Sequence, residues 1–259
     1  MTGKGNDNVL ASQLIQISYS GQGQSQFLLG PGNDRLSIVF RGYTSSNPLT
    51  MEASLQIFEN SLLDTGSGND KVIVKLQSSK PSSYRPEAIY LRGGHIAMGE
   101  GKDTLTGYNR SGPAIGLSGE ATISMGKGHD KLDVITGGIA LSGESTVDMG
   151  PGNDRVFIDL ESSSFLNTNR SSLMGGTGTD SIFLNEGRYQ IIRDPLNPSI
   201  LSIKKQRSNS QYTQDFYFHG FERIGNALTG KASALKEGDL YIVNDELFTP
   251  TSEGDLAPF

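Results

Sequence analysis

One hexapeptide recurs seven times along the first two-thirds of this chain, and no other feature narrows the fold as far. The copies are Thr2-Gly-Lys-Gly-Asn-Asp7, Leu29-Gly-Pro-Gly-Asn-Asp34, Thr65-Gly-Ser-Gly-Asn-Asp70, Met98-Gly-Glu-Gly-Lys-Asp103, Met125-Gly-Lys-Gly-His-Asp130, Met149-Gly-Pro-Gly-Asn-Asp154 and Gly175-Gly-Thr-Gly-Thr-Asp180. The second residue after each Asp is aliphatic: Val9, Leu36, Val72, Leu105, Leu132, Val156 and Ile182. The intervals between the Asp residues are 27, 36, 33, 27, 24 and 26. A lone Gly-x-Gly-x-Asp is noise. Seven in quasi-regular order with the same aliphatic partner are an architecture.

The shortest intervals show what fills one repeat. Ala114-Ile-Gly-Leu-Ser-Gly-Glu-Ala-Thr-Ile-Ser-Met125 realigns at an offset of 24 with Gly138-Ile-Ala-Leu-Ser-Gly-Glu-Ser-Thr-Val-Asp-Met149. Each circuit reads as three short alternating strands, apolar in and polar out. The first follows the Asp (Leu36-Ser-Ile-Val-Phe40), the second is exemplified by Ile89-Tyr-Leu91 and Ile139-Ala-Leu141, and the third ends at the next turn (Ile96-Ala-Met98, Val147-Asp-Met149). Three strands and three corners in 24 residues fit a coil of a parallel β-helix, whereas a propeller blade needs four antiparallel strands in roughly 40–50 residues. Right-handed winding is the default for parallel crossovers. The expected fold is all-β: a right-handed parallel β-helix (solenoid) of about seven coils over residues 1–184, with a C-terminal β-rich cap over 185–259.

Glycine at the second and fourth positions permits sharp turning with successive carbonyls on one side. The Asp adds a carboxylate, and stacking at about 4.8 Å per rung sets these oxygens over one another. A gap between such turns would be an all-oxygen cage of the kind calcium prefers. The same turns could instead close a corner through side-chain-to-backbone bonds and water. The hexapeptides resemble the Gly-Gly-x-Gly-x-Asp-x-aliphatic-x nonapeptide of the repeats-in-toxin (RTX) family, whose tandem copies form a calcium-filled parallel β-roll. The resemblance covers residues 2–184. Only the last copy has Gly at its first position, and each turn here is followed by a longer, three-strand circuit. The resemblance implies one calcium column with at most six ions between seven turns, and it carries the metal-ligand role to Asp7, Asp34, Asp70, Asp103, Asp130, Asp154 and Asp180.

Composition limits the remaining options. A net charge of −6 argues against a nucleic-acid partner, which wants a basic stripe. With no Cys, disulfides and Cys-based metal sites are excluded. No apolar run approaches the roughly 18 residues of a membrane span. The first residues, Met1-Thr-Gly-Lys-Gly5, carry no apolar segment of a cleavable signal, so the expectation is export by another route or a fragment cut from something longer.

Extra length in three circuits falls between the first and second strands and brings Tyr43, Tyr84, Arg85, Tyr108 and Arg110 to one edge. Insertions on one face of a repeat protein are often its binding face. A Tyr and Arg edge suits a surface polysaccharide, and it also suits plain cover for the flank. Glu120 and Glu144 stand 24 apart and should stack, as a second cation site, an acid/base pair or a solvated ladder. His95, His129 and His219 share no ligand spacing. After Asp180 the period fails, and Arg188–Arg193 with Ile200–Lys204 flank Asp194-Pro-Leu-Asn-Pro198 as a hairpin. The functional expectation is a calcium-binding extracellular or cell-surface module for adhesion or surface-glycan binding, not an enzyme. The alternatives are a calcium-dependent polysaccharide lyase or epimerase, which would need a base beside an acidic cluster that is not evident, and the repeat domain of a larger exported toxin or protease.

Overall fold

The computed structural model describes residues 3–18, 24–41, 53–77, 87–166, 172–207, 210–213, 215–244, 246–251 and 256–258, with the backbone alone at 164–166. All regular structure among them is β. The alternation seen in the sequence is what makes the strands. In Lys71–Leu76 the inward Val72, Val74 and Leu76 are buried, while Lys71, Ile73 and Lys75 face out. β-branched side chains suit this pleated, half-buried surface.

Three parallel sheets share the strands in rotation. The chain runs through Arg35–Phe40 in the first sheet, Leu55–Phe58 in the second and Ser61–Asp64 in the third, then returns to the first at Lys71–Leu76. Each strand therefore pairs with its counterpart one circuit away. Leu36, Val72, Leu105, Leu132, Val156 and Ile182 stand in register along the first sheet. Leu55, Ile89, Ile115 and Ile139 do the same in the second, and Leu63, Ile96, Ile123, Val147 and Leu173 in the third. These residues form one continuous buried core between the sheets. Strand pairing in the parallel sheets thus joins like positions of neighbouring circuits, while the core joins the sheets.

The parallel ladders run past residue 184. Phe216–His219 adds to the third sheet beside Ser172–Met174, and Arg223–Asn226 adds to the first beside Ser181–Leu184. The expected hairpin is present as Gly187–Arg193 against Ile200–Gln206, antiparallel, and Gly238–Val243, Glu246–Pro250 and Leu256–Pro258 continue that antiparallel edge. One expectation is corrected. Tyr108 is not in a loop: it lies on the first-sheet strand Thr104–Asn109, and the turn begins only at Arg110, closed by Asn109, whose Nδ2 donates to the Pro113 carbonyl at 2.9 Å.

The hexapeptide turns stack as directly as the strands. Glu100–Gly101, Lys127–Gly128, Pro151–Gly152 and Thr177–Gly178 form a fourth, two-residue-wide parallel ladder. Glycine is required there for a steric reason as well as a conformational one. A Cβ on Gly128, whose backbone is not left-handed, would sit 1.5 Å from the Gly101 carbonyl oxygen. Gly3, at the first described turn, has nothing within 4 Å of the same position. Gly128→Ala should therefore fall in the rare class that costs more than about 4 kcal/mol, while Gly3→Ala should stay within about 0.5 kcal/mol of the parent, read from paired urea melts.

Candidate functional site

The seven Asp residues of the repeat form a single column, and each is bound to the next in the same way. The backbone N–H of Asp7 donates to Asp34 Oδ1 at 2.7 Å, Asp34 to Asp70 at 2.7 Å, Asp70 to Asp103 at 2.7 Å and Asp103 to Asp130 at 2.8 Å. Asp130 donates to Asp154 and Asp154 to Asp180, both at 2.7 Å. In return, the Asp carbonyl accepts from the residue after the next Asp, as in Lys71 N–H to Asp34 and Lys131 N–H to Asp103, both at 2.9 Å. The carboxylate stands in for a main-chain carbonyl and carries the parallel ladder around the corner.

A second ladder runs beside it with the opposite polarity. Asn33 N–H donates to Asn6 Oδ1 at 2.8 Å, and Asn69 to Asn33 and Lys102 to Asn69 at 2.7 Å. His129 replaces Asn in this role, its Nδ1 accepting from Asn153 N–H at 2.9 Å, and Asn153 Oδ1 accepts from Thr179 N–H at 2.8 Å. Lys102, with an ammonium that only donates, has no such acceptor to give. The expected open gap between turns is bridged: Gly68 N–H meets the Glu100 carbonyl at 2.8 Å, and Lys127 N–H meets that of Gly99 at 3.0 Å. What this leaves at the corner is the Oδ2 side of the carboxylates.

That side is chemically unsatisfied. Asp34, Asp70, Asp103, Asp130, Asp154 and Asp180 are no more than 2% exposed. In all seven column residues Oδ2 is buried without a hydrogen-bond partner among the described residues. Burial pushes the Asp103 and Asp154 carboxyls up to about 7, with neighbouring column carboxylates adding to the rise and the backbone N–H bond opposing it. Burial likewise lifts Asp130 and Asp180 to about 6 and raises Asp70. The donors are hard oxygens, one orphan per circuit, which fits a hard cation. Groups of three or more His, Cys, Asp or Glu side chains around one point do not occur among the described residues. An ion here would have to draw its other ligands from carbonyls and water.

The column has an eighth member that its sequence conceals. Asp180 N–H donates to Glu222 Oε2 at 2.8 Å, and the Arg223 N–H donates to the Asp180 carbonyl at 3.0 Å. From the third-sheet rung to the first-sheet rung the chain takes seven residues at Met174 to Ser181 but four at His219 to Arg223. The Gly-x-Gly ladder is cut out, and the longer Glu side chain supplies the acceptor. The only signal was Gly220-Phe-Glu-Arg-Ile224, a carboxylate followed at the second position by an aliphatic residue.

The other candidates separate. Tyr43, Tyr84 and Arg85 lie outside the described residues. Tyr108 is half-buried, with Arg110 5.7 Å and Lys75 6.0 Å from its ring centre. Glu120 and Glu144 are exposed in successive turns, Glu144 N–H donating to the Gly119 carbonyl at 2.9 Å. His95 Nδ1 lies 2.7 Å from Thr122 Oγ1, and His219 pairs within the third sheet. Sequence reading also missed Glu87, whose carboxyl packs against Gly116 and is pushed by burial to about 7. Its trace was a Gly at the outward position filled by Gln56, Tyr90 and Ala140 in the register-matched strands.

The class defined so far is an all-β protein of parallel sheets with a buried carboxylate column along one corner. No helix long and apolar enough to cross a membrane occurs among the described residues. No family model, curated protein or solved structure matches the chain.

Two measurements probe the column. At pH 5, where Asp130 is protonated, Asp130→Ala leaves the buried Asp103 N–H without an acceptor and should cost about 1–3 kcal/mol. Asp7→Ala, with no turn before it among the described residues, should cost less than about 0.5 kcal/mol in the same urea melts. The pH dependence has a definite sign. Carboxyls whose folded pKa is raised stabilise the fold fully below the unfolded value of 3.8, and that contribution is lost as pH rises through about 6 to 7. In a chelator, the melting temperature should fall steadily from pH 4 to pH 8; a flat or rising profile would contradict the column's protonation.

Proposed function

We propose that this chain is a right-handed parallel β-helix of the RTX kind whose carboxylate column takes up calcium, serving outside the cell as a module for adhesion or surface-glycan binding. One observation carries the calcium reading. At the fifth turn position a neutral Asn side chain accepts the neighbouring N–H, yet at the sixth, where the hydrogen-bonding task is the same, all seven copies use Asp. Asn would do that work without a buried charge or a like-charged neighbour. The second carboxylate oxygen is therefore there for something else, and calcium is the hard cation that best suits a line of anionic oxygens with carbonyls nearby. Asp34, Asp70, Asp103, Asp130, Asp154 and Asp180 would hold it, together with Asp7, the first of the described column. The bound ion would neutralise the column and so couple folding to metal. In this reading the antiparallel strands from residue 187 onward cap the helix end, shielding backbone groups that would otherwise invite edge pairing.

A second reading rests on the raised carboxyl pKa values: the column holds protons rather than metal, and the fold is tuned to acidic surroundings. Asp130→Asn separates the two, because it keeps the Oδ1 acceptor and removes the charge. With calcium as ligand, millimolar calcium should raise the parent's melting temperature at pH 7.5, each site contributing about 2.7 kcal/mol at a hundredfold excess over its dissociation constant. Asp130→Asn should melt higher than the parent in EGTA and gain less from calcium. Equal melting of the parent in EGTA and calcium would leave the proton column standing alone.

A further inference from the structure

We infer that the outer face of the first sheet is a docking strip for a linear polyanion of the acidic-polysaccharide class. The strands of this sheet carry Arg35, Lys71, Lys75, Lys131, Arg155 and Arg223 against a single acidic residue, Asp133, in a chain whose net charge is −6. The second sheet's described side chains include one cation, Arg92, paired with Glu59; the parallel strands of the third carry Asp64 and Asp148, and its cations sit on the antiparallel strands, where Arg193, Lys204 and Lys205 are paired with Glu237, Asp215 and Glu161 beside Arg188. Among the parallel strands, positive charge is thus gathered on one of three faces.

Register turns that excess into a line. Arg35, Lys71, Lys131, Arg155 and Arg223 occupy the same outward rung, interrupted only by the hydroxyl residues Thr104 and Ser181. Neighbouring rungs are about 4.8 Å apart, so the line is roughly 30 Å long and one side chain wide. Arg35, Lys71, Arg155 and Arg223 are exposed, and neither Arg35 nor Lys71 has an anionic partner among the described residues. The line runs one residue beyond the Asp column but points outward, so it is not used in neutralising the buried carboxylates. Like charges at this spacing repel, and a ligand that brings matching negative charges relieves that repulsion as it binds.

The shape of the strip selects among polyanions. A line one residue wide suits an extended chain more than a membrane surface, which rewards a broad basic patch. Single-stranded nucleic acid wants a row of aromatic platforms for successive bases, but this face has Tyr108 alone, its two phenylalanines being already covered. Phe157 and Phe183 stack at 4.5 Å beneath Arg155, which lies 5.1 and 4.6 Å from their centres, and Lys131 lies 4.4 Å from Phe157. A polyuronate places one carboxylate on each sugar along a ribbon, and the face also offers Tyr108 between Lys75 and Arg110 as a platform for a ring.

This inference rests on the glycan-binding part of the proposed function for its choice of polymer, and on geometry for its location. Calorimetry in saturating calcium with short polygalacturonate, neutral dextran and oligo-dT as probes tests it. Polygalacturonate should bind, weaken as salt is raised, and lose roughly tenfold affinity in Arg35→Gln/Lys71→Gln. Lys127→Gln, which removes a cation paired with Glu100 elsewhere, should bind as the parent does. Matching melting temperatures show that both variants fold. Tighter binding of oligo-dT, or no parent binding to polygalacturonate, would overturn the acidic-polysaccharide assignment. Unchanged binding in the double variant would overturn the location while leaving glycan binding intact. Binding of dextran alone would overturn the polyanion and keep the broader glycan reading.

Discussion

A backbone N–H that must turn a corner needs an acceptor when no main-chain carbonyl is positioned to provide one, and in this protein that acceptor is the carboxylate of the next circuit. The strands on either side of each hexapeptide are hydrogen-bonded as ordinary parallel ladders. The turn between them would interrupt those ladders if Asp did not supply an oxygen at the right height. Because Asp Oδ1 takes the N–H and the Asp carbonyl takes the following residue, adjacent circuits are locked at two points on every rung. The aliphatic stacks, the flat glycine contacts and the register of all three sheets follow from that alignment. Its cost is a line of buried carboxylates whose second oxygens have no partner among the described residues. That tension, between an acceptor the turn needs and a charge the interior resists, makes the column the place where solution conditions act on the fold.

Much of this was legible in the residues. The hexapeptide with its aliphatic partner located every first-sheet strand through Ser181–Leu184, and the realignment at 24 residues located the second and third strands of the two shortest circuits. Those signals survive because inward positions repeat in register and a slip would expose a whole aliphatic row. Three things were not legible. The eighth carboxylate escaped because Glu222 sits in a turn that has shed its Gly-x-Gly ladder, so the periodic signature vanished while the pairing persisted. Tyr108 looked like loop because Gly107 and Asn109 flank it, yet Gly107 is buried in the strand and Asn109 turns inward to close the following bend. The direct bonds between turn backbones, where an open gap was expected, were hidden because sequence shows that glycines are present but not which way their amides point.

The two side-chain ladders also differ in what they tolerate. The Asn ladder asks only for a neutral acceptor, and His129 can serve there while Lys102 leaves a break. The Asp column has no break across the described turns, and its one substitution keeps the carboxylate. The difference sorts the positions by chemistry within a single chain. Where any acceptor suffices the residue varies, and where the acceptor is an anionic oxygen it is a carboxylate at every described turn. The cationic line one residue further on is the outward complement of this arrangement, so a single dipeptide such as Asp70-Lys71 or Asp154-Arg155 sets a buried anion and an exposed cation back to back.

The reciprocal bonding of successive Asp residues has a consequence for how such a chain can change length. Asp130 already presents its carbonyl to the N–H of Arg155, the residue that follows Asp154. Excising residues 131–154 would join Asp130 covalently to Arg155, and Asp103, still donating to Asp130, would keep its acceptor. The natural unit for a change in length is therefore a whole circuit rather than a residue. Duplication or loss of a circuit changes the length of the molecule while offering each remaining rung an equivalent partner, Asp180 in place of Asp154 for the Asp130 N–H, much as a link is added to a chain or taken from it.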